Sequence, residues 1–167
     1  MFKLYSKYLI FIILSLSCIY ILLNRDNSSV NNNNVYSVTD TTKINKIFLA
    51  DRTGNTILLE REKKKWRINN EHFVRKDAIN ILLNTISNIK IQKPVPLSHL
   101  EDVIKLLSTT GVKVEIYSNN ELIRVYTVGG ETPNQLGTYM FLEGSESPFI
   151  MHVPGFKGYL SPRYGIQ

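Results

Sequence analysis

The sequence predicts an α+β fold: an antiparallel sheet of short hairpins with two central helices packed on one face, preceded by one N-terminal transmembrane helix. Three observations lead there. Short β-rich runs separated by turn residues occupy both sides of the chain's middle. Between them the apolar period changes to that of two amphipathic helices. A charge-free stretch at the N-terminus is too continuously apolar to be one face of a core helix. The connections are too short for a parallel Rossmann-type sheet.

From Tyr8 to Leu23 there is no charged residue, and Lys3 and Lys7 stand ahead of it. At about 1.5 Å per residue these sixteen residues, with Phe2 and Leu4, come close to spanning ~30 Å of hydrocarbon. The leading lysines favour a cytoplasmic N-terminus and an exported remainder. The expected location is therefore the cell membrane, single-pass, with the C-terminal domain extracytoplasmic (periplasmic). The alternatives are a lipoprotein acylated at Cys18, after the small residues Ser15 and Ser17, or ordinary signal cleavage there. Ile19 to Leu23 continue the apolar run past Cys18, which favours an uncleaved anchor. Residues 24–42 hold six asparagines and little apolar surface. They read as a flexible linker with a reach on the order of 25 Å. The expected division is thus 1–23 anchor, 24–42 Asn-rich linker and 43–167 extracytoplasmic α+β domain.

Within the domain, Ile44, Ile47, Phe48 and Leu49 begin a hairpin. Asp51-Arg52-Thr53-Gly54-Asn55 turns it, and Ile57-Leu58-Leu59 returns. Trp66-Arg67-Ile68 and His72-Phe73-Val74 extend the meander. Ile79, Leu82, Leu83, Ile86 and Ile89 then mark a helix from about Lys76 to Asn88. Pro94 and Pro96 bound a connector. Ser98 and Glu101 have the spacing of a capping box, ahead of a helix with Leu100, Val103, Ile104 and Leu107 on its buried face. Gly111 stands where a left-handed cap would end it. Val112 to Ile116 and Leu122 to Val128 form the next hairpin, which Gly129-Gly130 is expected to end. Thr138 to Leu142 and Phe149 to Val153 form the last.

The 167 residues include 20 Lys and Arg against 14 Asp and Glu. From Lys43 onward the excess is 17 to 12. This is not the dense basic stripe of a nucleic-acid binder, and no nucleic-acid partner is expected. A single cysteine excludes an internal disulfide framework and a cysteine-based zinc site. The apolar content excludes a wholly disordered chain.

No catalytic constellation is legible. His72, His99 and His152 lack a His or Cys partner at metal-ligand spacing, so no metal or cofactor is expected. His152 reads as a half-buried strand residue. There is no Gly-x-Ser-x-Gly, and Cys18 lies in the membrane segment. Glu143 and Glu146 flank a turn, where solvation explains them better than acid–base work. The run from Val128 to Pro133 lacks both the lysine and the following helix of a phosphate loop. Lys63-Lys64-Lys65-Trp66 reads as a charged turn with Trp66 pointing inward, in preference to a nucleic-acid or anionic-lipid contact. The densest group of unusual residues is late in the chain. Gly129, Gly130, Thr132, Pro133, Tyr139, His152, Phe156, Tyr159, Arg163 and Tyr164 are the candidate binding residues, because aromatic and arginine side chains on Gly- and Pro-shaped loops anchor interfaces.

The stretches KINKIFLADRTGNTILLER, GVKVEIY, VYTVGGETPNQLGTY and LGTYMFLEGSESPFIMHVPGFKGYLSPRY, spread from Lys43 to Tyr164, resemble the bacterial domain-of-unknown-function family 4340. The resemblance implies an N-terminal anchor or lipid-type signal, and association with an envelope or ABC-transport-associated protein. It carries over no catalytic residue. Members of that family continue well past the Pro162-Arg163-Tyr164 seen here, so a truncated, non-functional fragment is one expectation. The leading expectation is a membrane-tethered, protein-binding or envelope and transport accessory module. An envelope hydrolase or sugar-binding enzyme centred on Tyr139, Glu143 and His152 is the alternative.

Overall fold

The computed structural model describes residues 35–165. The expected anchor, Cys18 and the first part of the expected linker lie outside them. Among the described residues no helix is long and apolar enough to cross a membrane.

The chain forms strands β1 (Ile44–Ala50), β2 (Thr56–Glu62), β3 (Lys65–Ile68) and β4 (His72–Phe73). Helix α1 (Lys76–Asn88), strand β5 (Lys90–Pro94), a 3-10 turn (Leu97–His99) and helix α2 (Leu100–Thr110) follow. Strands β6 (Val112–Ser118), β7 (Glu121–Glu131), β8 (Thr138–Leu142) and β9 (Phe149–His152) complete the sheet, and a 3-10 turn covers Ser161–Tyr164. The nine strands of the described residues join one sheet in the order β4-β3-β2-β1-β6-β7-β8-β9-β5. Every pairing is antiparallel. The expected α+β class is therefore the observed one. Turn chemistry explains the tight corners: Asn119 and Asn120, at φ 51° and 67°, close the β6–β7 hairpin with the left-handed pair that asparagine tolerates.

The helices do not share a face, which corrects the expected layering. Ile79, Leu82 and Ile86 of α1 pack in one core with Ile47, Ile116, Tyr126, Met140 and Met151. Val103 and Leu107 of α2 pack with Val95 and Ile150, and Tyr139 and Phe141 lean on that second cluster. Neighbouring residues on a strand point to opposite sides. Met140 and Met151 thus face α1, while Tyr139, Phe141 and Ile150 face α2. The physical reason is β5. It pairs with β9 at the sheet edge, so the chain passes round that edge between the helices. The pattern of Pro94 and Pro96 suggested a connector instead. At an edge a proline removes no ladder bond that the sheet needs. Ile89, expected on the helix stripe, is its extended C-cap and is fully buried.

Helix α2 departs from expectation at both ends. Ser98 sits in the 3-10 turn, His99 is the N-cap, and no side chain caps the helix, so the expected box does not form. Gly111 is extended (φ −69°, ψ 144°), not left-handed. Its glycine is needed for space: a Cβ there would lie 2.3 Å from the Leu107 carbonyl oxygen and 2.5 Å from Thr127 Cγ2. Gly129 does the same work within β7, which continues through both glycines to Glu131. A Cβ at Gly129 would come 2.8 Å from Leu107 Cδ2. Small residues let α2 press on the sheet, and Ile104, expected in the buried face, is 51% exposed.

The expected linker ends earlier than Thr42. Tyr36 is 1% exposed, and its hydroxyl accepts a hydrogen bond from the Leu142 N–H at 3.0 Å. The Val38 N–H donates to the Ile86 carbonyl at 3.1 Å. A buried phenol offsets the ordering cost of this short segment. Its ring stands edge-on to Phe149, with centroids 6.3 Å apart. Tyr126 and Tyr164 share a buried hydroxyl contact of 3.1 Å in the same core.

These phenols make stability sensitive to alkali. Burial pushes Tyr36 up to about 12 and raises Tyr126 and Tyr164 as well. Unfolded phenols ionise near 10 while the folded ones hold their protons, so the stabilisation is complete below pH 10 and is lost as pH rises through the folded values. Tyr36 alone accounts for about 3 kcal/mol of this loss. Denaturant midpoints measured across pH are expected to hold steady to about 9 and then to fall steeply. A flat profile up to pH 12 would contradict the burial of Tyr36.

Candidate functional site

The ten late candidates do not gather at one place. Gly129 and Gly130 lie under α2, where Leu107 Cδ2 and Leu106 Cδ2 are the first atoms that a Cβ would meet. Tyr164 is 2% exposed and bonded to Tyr126, so it belongs to the core. Arg163 holds the C-terminal turn: its guanidinium donates to Thr85 Oγ1 at 3.0 Å and lies 3.8 Å from the Phe156 ring centroid. Phe156 is 37% exposed and Tyr159 is half-buried beside that turn.

Thr132, Pro133 and Tyr139 do meet. They line a cleft of about 380 Å³ with Gln92, Lys93 and His99. Strand β5 contributes Gln92 and Lys93, the start of α2 contributes His99, and β8 contributes Tyr139. The loop after β7 is fixed by Thr132, whose hydroxyl donates to Asn134 Oδ1 at 2.7 Å and accepts from the Gly137 N–H at 3.1 Å. Gly137 is held close to β9 and β5, since a Cβ there would lie 2.5 Å from Ile150 Cγ2 and 3.0 Å from Gln92 Oε1. The cleft is therefore built on ordered backbone. It offers a cation, an imidazole, an amide and a phenol, a set suited to polar recognition. Gln92 and Lys93 escaped the sequence reading because β5 was not legible as a strand, and His99 was weighed there only as a metal ligand.

Of the residues of the enzyme alternative, Glu143 stands apart from Tyr139 and His152, which lie diagonally across the β8–β9 pair. Glu143 follows β8 at the hairpin turn, about 13 Å along the strand from Tyr139. His152 pairs with Lys90 on the far side of Thr138, away from that turn. The Glu143 N–H donates to the Val125 carbonyl at 3.0 Å, across the neighbouring strand pair. Among the described residues no three His, Cys, Asp or Glu side chains gather where a metal ion could be held.

A larger cleft, about 440 Å³, lies between the β2–β3 hairpin and α1. Trp66, Phe73 and Ile79 line its apolar part, and Arg61, Lys64, Lys65 and Lys76 line its polar part. Trp66 points inward as expected and is 5% exposed. Arg61 donates to the carbonyls of Thr41 and Thr42 at 2.8 and 2.9 Å, and burial draws its pKa down. A third, smaller cleft of about 270 Å³ lies beside Ile104 and Phe141.

No family model, curated protein or solved structure matches the chain.

Proposed function

We propose that the protein is a membrane-tethered extracytoplasmic binding module, an accessory to an envelope or transport-associated protein. The charge-free run from Tyr8 to Leu23 behind Lys3 and Lys7 supports the tether and the direction of export. The accessory role is proposed from the sequence resemblance to family 4340 alone, since no family model matches the chain. The observation that carries the binding reading is the cleft at Tyr139. Lys93, His99, Gln92 and Tyr139 line it together, over a loop that Thr132 holds in place, with no nucleophile–base pair among them. Polar groups held by packed strands and a closed loop fix the orientation of a partner's peptide or carboxylate groups.

A photo-crosslinking residue in place of Pro133, which is exposed at the rim, tests this in living cells. The expected result is one discrete adduct from the membrane fraction. The same residue in place of Asn119, in the β6–β7 turn, serves as the control and gives none. Equal adducts at both positions, or no adduct at Pro133 in any growth phase, would contradict the assignment of this cleft.

A further inference from the structure

The cleft between the β2–β3 hairpin and α1 has no part in the recognition just described. Its charges are out of balance. Glu62 is paired with Arg67, with an Nε–Oε2 distance of 2.6 Å, and Asp77 is paired with Arg75. Glu71 lies 4.0 Å from His72 Nε2. Lys63, Lys64, Lys65 and Lys76 have no carboxylate partner among the described residues. Neither has Arg61, which is bonded only to backbone carbonyls, and its guanidinium carbon lies 4.9 Å from the Trp66 ring centroid. Four of these five cations line the opening, and Lys63 stands beside it on the hairpin turn.

Apolar surface lies among them. Phe73 is 54% exposed at the cleft mouth. Lys65 and Arg67 flank its ring, 4.9 and 4.8 Å from the centroid. Below it, Val74, Ile79 and Leu83 form the floor. A second hollow on the outer side of Phe73 is lined by Lys63, Lys64 and Lys65 and by Glu62, whose charge Arg67 pairs. A purely ionic partner would use the lysines and leave the aromatic mouth in water. A partner carrying a phosphate next to apolar chain would use both.

We propose that this cleft and its lysine turn dock on anionic phospholipid, taking a headgroup phosphate among Lys64, Lys65 and Lys76 with Phe73 set against the adjoining acyl region. The charge complementarity is that of a polybasic surface at an anionic leaflet. The partly exposed ring matches the aromatic residues that settle at the level of the headgroups. The proposal adds to the tether a second, reversible membrane contact. It rests on the membrane reading only in giving the domain a bilayer to meet.

Trp66 is the chain's single tryptophan and lines this cleft, so its fluorescence reports occupancy directly. The full chain is incorporated into nanodiscs of neutral phosphatidylcholine, and into discs that also contain phosphatidylglycerol. The expected result is a change in Trp66 emission and quencher access that occurs only with phosphatidylglycerol and disappears at high salt. Lys64→Gln with Lys65→Gln removes two charges and is expected to weaken the response about 30-fold, from roughly 1 kcal/mol per lysine. Both side chains are exposed, so folding is retained, and the thermal midpoint confirms it. Lys105→Gln, on α2, leaves the response unchanged.

Identical emission in the two discs would overturn the proposal. So would a phosphatidylglycerol response that survives the double substitution. An equal, Lys64- and Lys65-dependent response to polyglutamate would reassign the cleft to an acidic polymer and overturn the lipid assignment. If the chain fails to stay in neutral discs, the tether reading fails by itself. Vesicles of the same two compositions then test the cleft separately, with the same supporting and contradicting results.

Discussion

Gly111→Ala is expected to lower the thermal midpoint of the domain by about 10 °C. The extended backbone at this position suits alanine, so strain in φ is not the cause. The cause is contact. The added Cβ would stand 2.3 Å from the Leu107 carbonyl oxygen, a backbone atom that cannot rotate away, and 2.5 Å from Thr127 Cγ2. The end of α2 would have to lift. Leu107 is 5% exposed and fills the space over Gly129, so lifting it opens the smaller core on that face. Overpacking of this kind costs about 3 kcal/mol. Gly54→Ala is the control. It has open space around its Cβ position and suffers only from φ +97°, about 1 kcal/mol. A midpoint for Gly111→Ala equal to that of Gly54→Ala would show that α2 does not sit where it is described.

Tyr36→Ala is expected to cost about 3 to 5 kcal/mol, a third or more of the stability of an ordinary domain. The ring is buried against Tyr126 and Phe149, with centroids 6.1 and 6.3 Å away. Its hydroxyl also satisfies the Leu142 N–H. Tyr36→Phe keeps the ring and loses only that bond, so about 1 kcal/mol is expected. Urea unfolding of both variants measures the difference. If residues up to Thr42 were merely a spacer, both substitutions would be silent.

Tyr36 illustrates what the sequence can and cannot disclose. The segment around it is polar and asparagine-rich, and composition describes the average of a segment, not one ring that finds a pocket. The long-period signals were legible. The stripe from Ile79 to Ile86 placed α1, and the alternation from Val112 to Ile116 placed β6. Strand β5 was not legible, because Lys90–Pro94 has one half-buried residue, Ile91, and otherwise faces solvent. An edge strand needs no apolar alternation when only one neighbour pairs with it. Missing β5 then hid two further facts: that the helices lie on opposite faces, and that Gln92 and Lys93 stand beside Tyr139. Gly111 and Gly129 were read as punctuation, since local sequence shows a glycine's freedom but not the helix pressed against it. The turn and the inward Trp66 were legible in the lysine run, whereas the lipid contact set aside there is the one now proposed. The five unpaired cations emerge only when β2, β3 and α1 are brought together.

The central claim is that a membrane segment holds the folded domain outside the cytosol. The most direct measurement is protease treatment of intact spheroplasts, followed by carbonate washing of the membranes. The account predicts that the domain is digested from outside, and that in untreated samples the full chain stays with the washed bilayer. Full-length chain that is protected from the protease and released as free soluble protein on lysis would contradict it.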